Sequence, residues 1–89
     1  MEYIYVVSEN NNGDLCYSQT LSGIYADLIK TRWINKDTEI YSHDIASACT
    51  LEERFGKSEW IGAVEKMNFY TFNTLFDPYF QIRIEPLVG

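Results

Sequence analysis

Apolar positions along the chain fall into short blocks whose spacing changes from one block to the next. Tyr3-Ile4-Tyr5-Val6-Val7 is β-branched and aromatic throughout, which marks a strand. Apolar residues on both of its faces predict a central strand covered on both sides, or one face at an interface. Glu9-Asn10-Asn11-Asn12-Gly13-Asp14 reads as a hairpin turn, with Asn12-Gly13 suited to positive φ, and a second strand follows at Leu15 to Gln19. From Leu21 the period becomes helical. Leu21, Ile24, Tyr25, Leu28 and Ile29 share one stripe, so a helix is expected from Leu21 to Trp33, with Thr20 as its N-cap. Arg32 falls on that stripe, but in the last turn its cation favours the helix dipole and can reach solvent.

Asn35-Lys36-Asp37 follows as a loop, and Thr38 to Ser42 as a third strand. A continuous helix from Asp44 to Phe55 would place Ile45, Ala48, Cys49 and Phe55 together, but with Glu52 on the same stripe. A break resolves the conflict: Thr50-Leu51-Glu52-Glu53 matches a capping box, so a new short helix starts at Thr50 and stops at Gly56. Ser58 is a second N-cap candidate, and Trp60, Ile61 and Val64 keep a helical period. Phe69-Tyr70-Thr71-Phe72 favours a strand. The competing reading, one helix from Ser58 to Phe76, would carry Glu65 and Asn68 on its apolar face. The last strand alternates: Phe80, Ile82 and Ile84 point one way, and Tyr79, Gln81, Arg83 and Glu85 the other, between Asp77-Pro78 and Pro86.

The expected order is therefore β-β-α-β-α-α-β-β. The simplest architecture is α+β, a small antiparallel sheet of four or five strands with helices packed on one face. No repeat or linker interrupts it, so residues 1–89 are expected to form one compact domain.

Composition narrows the function classes. With 46% hydrophobic and 16% aromatic residues, the chain is too rich in core formers for a disordered segment. A net charge of −6 and only seven Lys and Arg argue against direct binding to nucleic acid or an anionic membrane. The longest apolar run, Tyr3 to Val7, is too short to span a membrane, and Met1-Glu2-Tyr3-Ile4-Tyr5 lacks the features of a signal peptide. A cytoplasmic location is expected. There Cys16, in a strand, and Cys49, in a helix, would be small buried thiols rather than a disulfide.

No constellation of residues carries recognisable catalysis. The lone histidine, His43, sits beside Asp44 as a loop residue before a helix. Three Cys and His residues, widely scattered, do not make a zinc site. The glycines are dispersed rather than grouped into a phosphate cradle, and Glu52-Glu53 suits the first turn of a helix. No catalytic, cofactor or metal residue is assigned, and the chain is read as a non-enzyme.

Charge is unevenly spread. Asp37, Glu39, Asp44, Glu52, Glu53, Glu59 and Glu65 face only Arg54 and Lys57 within the same stretch, a local −5 out of −6. These acids, with Trp60 as an anchor, form a candidate interface for a basic partner. Phe69, Tyr70, Phe72, Phe76, Tyr79 and Phe80 crowd twelve residues, and Tyr70 and Tyr79 are the candidate aromatic or oligomer surface. Short length, acidity, abundant rings and the lack of a catalytic motif resemble small inhibitors of phages and mobile elements. Anti-CRISPR and anti-restriction proteins, some of them DNA mimics, belong to that class. The resemblance lies in whole-chain character and not in a motif. It implies a protein-binding module that presents an acidic face to a nucleic-acid-binding protein. Two alternatives stand beside it: a homodimer pairing through aromatic strands, and a small-molecule site or minor enzyme in which His43 and Cys49 line a pocket.

Overall fold

The two strand signals flanking the asparagines pair as expected. In the computed structural model, which describes residues 2–41, 48–77 and 79–87, β1 spans Tyr3–Glu9 and β2 spans Gly13–Ser18. The Asn12 N–H donates to the Glu9 carbonyl at 3.2 Å. Of the Asn12-Gly13 pair only Gly13 takes positive φ, +74°, which costs glycine nothing. β1 is the central strand of the order β2-β1-β5, antiparallel to both neighbours, with β5 at Phe80–Pro86. Val7 lies opposite Cys16 on one side and Ile82 on the other, and a bulge after Val7 accommodates Leu15. Val7 and Ile82 point into the core, whereas Val6 is buried outside it, on the face shared with Tyr17 and Arg83.

Helix α1 runs from Leu21–Lys30, and Thr20 caps it by accepting from the Gly23 N–H at 3.1 Å. It ends three residues before Trp33 because Arg32 turns left-handed, at φ +65°. The Arg32 N–H bonds back to the Ile29 carbonyl at 3.1 Å and the Ile34 N–H to the Leu28 carbonyl at 3.2 Å, which closes the helix end. Arg32 thus never enters the apolar stripe. The same turn leaves Trp33 exposed and buries Ile34.

The third expected strand does not join the main sheet. β3, Glu39–Ile40, pairs with β4, Cys49–Thr50, in a separate two-stranded sheet, with Glu39 opposite Thr50. Cys49 therefore lies in a strand and not in the expected helix, and the residues of that helix before Ala48 fall outside the described ones. The capping box is present: the Glu53 N–H donates to Thr50 Oγ1 at 3.1 Å, and the Thr50 N–H to Glu53 Oε1 at 3.0 Å. It starts α2, Leu51–Phe55, which stops at Gly56 with φ +111°. α3 is Trp60–Glu65, capped in position by Glu59 rather than Ser58 and without a side-chain bond.

The expected strand at Phe69-Tyr70-Thr71-Phe72 is instead α4, Phe69–Leu75. Asn68 Oδ1 accepts from the Thr71 N–H at 2.8 Å, so the helix has an N-cap that a strand would waste. Phe72 and Phe76, one turn apart, bring their rings to 4.4 Å, and this spacing outweighs the β-propensity of the aromatic run. Nor is there one long helix. Lys66 ends α3 and Met67 turns into the core, so Glu65 and Asn68 both stay exposed.

These rings join the layers. Phe72 stacks on Tyr25 of α1 at 5.4 Å and packs near Phe80 of β5 at 6.5 Å. The buried Tyr25 hydroxyl donates to the Met67 carbonyl at 2.8 Å, which ties α1 to the α3–α4 connection. α4 also bonds to the outer side of the edge strand β5 at Ile82. Asn73 Nδ2 donates to the Ile82 carbonyl at 2.9 Å, and the Ile82 N–H donates to Asn73 Oδ1 at 2.7 Å. One side-chain amide thereby satisfies both outward backbone groups of Ile82, as a neighbouring strand would. The architecture is α+β: a small antiparallel sheet with helices on its core face, plus the β3–β4 pair.

Truncating Phe72 to Ala should destabilise the fold by about 3–5 kcal/mol, as emptying a buried aromatic site does. Asn73→Ala should cost about 1–3 kcal/mol by orphaning the Ile82 backbone groups. Urea unfolding midpoints of the two variants and the parent check both values and their order.

Candidate functional site

The acidic residues are brought together in part. Lys36 Nζ lies 3.5 Å from Asp37 and 3.6 Å from Glu52, while its carbonyl accepts from the Glu52 N–H at 3.0 Å. Glu39 sits across the β3–β4 ladder from Thr50, whose N–H is held by Glu53. Asp37, Glu39, Glu52 and Glu53 thus gather around the start of α2. Lys36 is the cation paired with this group among the described residues. Such exposed ion pairs are weak and screened by salt, so most of the negative charge stays available. Arg54 makes no ion pair with it among the described residues, and its guanidinium sits 5.5 Å from the Phe55 ring centroid.

The remaining acids stand apart from the group. Glu59 follows Gly56, over which its side chain folds, and its Oε2 accepts from the Ser58 N–H at 3.1 Å. Glu65 is exposed at the far end of α3. Asp44 and His43 lie outside the described residues. Trp60 cannot anchor a partner as expected, because it is 8% exposed and belongs to the core. The exposed indole is Trp33, at 42%.

The two candidate tyrosines lie in different clefts. Tyr70, 71% exposed and stacked on Phe69 at 4.1 Å, borders a cleft of about 400 Å³ with Tyr41, Asn73, Thr74 and Asp77. Tyr79 borders another, of about 220 Å³, with Glu9, Trp33, Thr38, Glu39 and Phe80. Glu39 and Tyr79, which the sequence divided between an acidic and an aromatic surface, therefore share one site. Its other two functional groups, Trp33 and Glu9, were not singled out. Trp33 falls off the α1 stripe, and a tryptophan off the stripe is a readable sign of exposure. Glu9 carried no signal beyond closing a hairpin.

Of the aromatic segments expected to pair as strands, Phe69-Tyr70-Thr71-Phe72 is helical, and Asn73 bonds Ile82 on the outward side of β5. The Cys16 thiol gives little support to chemistry. Cys16 and Cys49 are free and half-buried, and burial, assisted by the neighbouring Asp27 carboxylate, pushes the Cys16 thiol up to about 12. The reactive thiolate is then scarce near neutral pH. Among the described residues no three His, Cys, Asp or Glu side chains gather as a metal site, and no helix is long and apolar enough to cross a membrane.

Two carboxyls are held below their ordinary values. The Thr50 N–H and hydroxyl at the capping box lower Glu53, and the Arg83 guanidinium lowers Asp14 by donating to both of its oxygens at 2.8 Å. Compared with known proteins, the chain matches no family model, no curated protein and no solved structure.

A folded-state carboxyl below its unfolded value stabilises the fold once ionised, and that contribution disappears as pH falls through the folded value. Stability should therefore hold at neutral pH and drop as pH falls below the ordinary 4.5 of Glu53 and 3.8 of Asp14. Glu53→Gln can still accept from the cap but cannot titrate, so it should flatten the acid limb. Urea midpoints followed from about pH 7 to about pH 3 check this.

Proposed function

We propose that the chain is a non-enzymatic protein-binding module whose acidic surface, around the β3–β4 pair and α2, docks on the basic surface of a nucleic-acid-binding protein. The observation that carries this reading is the gathering of Asp37, Glu39, Glu52 and Glu53 with Lys36 as their paired cation. A basic groove built for phosphates gains most from a surface whose charge has not been cancelled internally. Occupying such a groove would block nucleic acid, which is how an inhibitor of the anti-CRISPR or anti-restriction kind acts. A cytoplasmic site of action belongs to the same proposal.

The test must avoid acids that hold the fold. Glu53 closes the capping box, so reversing it would unfold α2 and mimic lost binding. Asp37 and Glu39 are exposed and carry no cap, so Asp37→Lys with Glu39→Lys reverses charge at little structural cost. The parent chain, immobilised and exposed to a bacterial lysate, should retain a nucleic-acid-binding protein at low salt and release it at high salt. The double variant should bind that protein at least about tenfold more weakly, whereas Glu65→Lys should change affinity by less than about twofold. Retention that ignores both salt and the double reversal would overturn the proposal.

A further inference from the structure

Four segments meet at the end of the main sheet. β1 contributes Glu9, the turn after α1 contributes Trp33, β3 contributes Glu39, and the entry to β5 contributes Tyr79. The Asn10 N–H donates to the Tyr79 carbonyl at 3.1 Å, and the Tyr79 N–H to the Phe76 carbonyl at 2.9 Å, so the tyrosine's backbone is fixed from both sides. The left-handed turn at Arg32 fixes the position of Trp33. Together with Thr38 and Phe80 these residues line an open cleft of about 220 Å³.

Its chemistry is selective. An indole and a phenol ring, 42% and 40% exposed, are among its lining groups, and rings of this kind attract cations through their electron-rich faces. Two carboxylates complete it, and neither Glu9 nor Glu39 meets a Lys or Arg among the described residues. Glu9 accepts a hydrogen bond from Asn12 Nδ2, which orients it without neutralising its charge. A neutral ligand would leave both charges uncompensated, and an anion would be repelled. A cation fits. Among cationic side chains the guanidinium fits best, because its flat face suits the rings while its five N–H donors can serve two carboxylates at once.

We infer that this cleft receives an arginine side chain of the protein partner. The inference rests on the proposed docking of the acidic surface and supplies its anchor: one arginine seated between Trp33 and Tyr79, with Glu39 linking the cleft to the acidic group beside it.

The test uses the isotope-labelled full chain and a capped Gly-Arg-Gly peptide, with Gly-citrulline-Gly as the uncharged isostere. The arginine peptide should shift the Trp33 indole N–H and the Glu39 amide along a saturating curve, and the citrulline peptide should not. The Trp33 signal is assigned by its loss in Trp33→Phe, and the Trp60 indole serves as a buried reference. Glu39→Gln should weaken the arginine response about tenfold, the loss of one charge-assisted contact. Equal shifts with both peptides, or no shift at Trp33 with arginine, would overturn the inference. Should that happen while Asp37→Lys with Glu39→Lys still releases the captured protein, the acidic-surface reading survives and the cleft alone fails. Saturable arginine binding with capture that ignores Asp37→Lys with Glu39→Lys would show a cleft that the captured partner does not use, and would overturn both readings.

Discussion

Phe72 is the ring on which the arrangement depends. It is fully buried and stacks between Tyr25 of α1 and Phe76, the residue that closes its own helix, with Phe80 of β5 beyond. A short antiparallel sheet has one face to cover, and a seven-residue helix is too short to be stable alone. The aromatic stack satisfies both needs by fastening α4 across α1 and β5. With α4 held there, Asn73 satisfies the outward backbone groups of Ile82, and the Leu75 carbonyl accepts from the Tyr41 N–H at 2.9 Å at the end of β3.

The exposed chemistry follows from that packing. The Tyr41 bond holds the β3–β4 pair against the end of α4, and the Phe76 carbonyl bonds the N–H groups of Tyr79 and Phe80 at 2.9 and 2.8 Å. Glu39 and Tyr79 meet in one cleft because both of their segments are anchored to the same short helix. The acids near α2 have a different cause. The capping box needs Glu53, and the first helical turn favours Glu52, so part of the negative charge stabilises α2 before it serves any partner. Asp37 and Glu39 have no comparable structural task, which makes them the more informative acids.

The elements that were readable in the sequence carried agreement between local signals. The opening hairpin combined β-branched runs with Gly13 at its turn, and α1 combined a five-residue stripe with the Thr20 cap. The capping box at Thr50 located α2 despite a confusing stripe before it. Reading failed where two signals conflicted. In Phe69-Tyr70-Thr71-Phe72 the residue types favour a strand, while the Asn68 cap and the Phe72–Phe76 spacing favour the observed helix, and the contact with Tyr25 that adds to them lies in no local window. The separation of β3 from the main sheet is of the same kind, since strand identity does not reveal strand partner. The charge asymmetry was fully legible. Which acids share a surface was not, and neither was the meeting of Glu9 with residues 24 to 71 positions away in the chain.

The central claim is that partner binding concentrates where the acidic group and the Trp33 cleft adjoin. Amide hydrogen exchange of the chain alone and in complex with its captured partner tests this most directly. Slowed exchange should cover Glu9–Asn10, Trp33–Glu39, Thr50–Glu53 and Tyr79, with α4 and the β2 edge unchanged. Protection centred on Leu15–Ser18 of β2 or on Tyr70, with residues 33–39 exchanging as in the free chain, would contradict it.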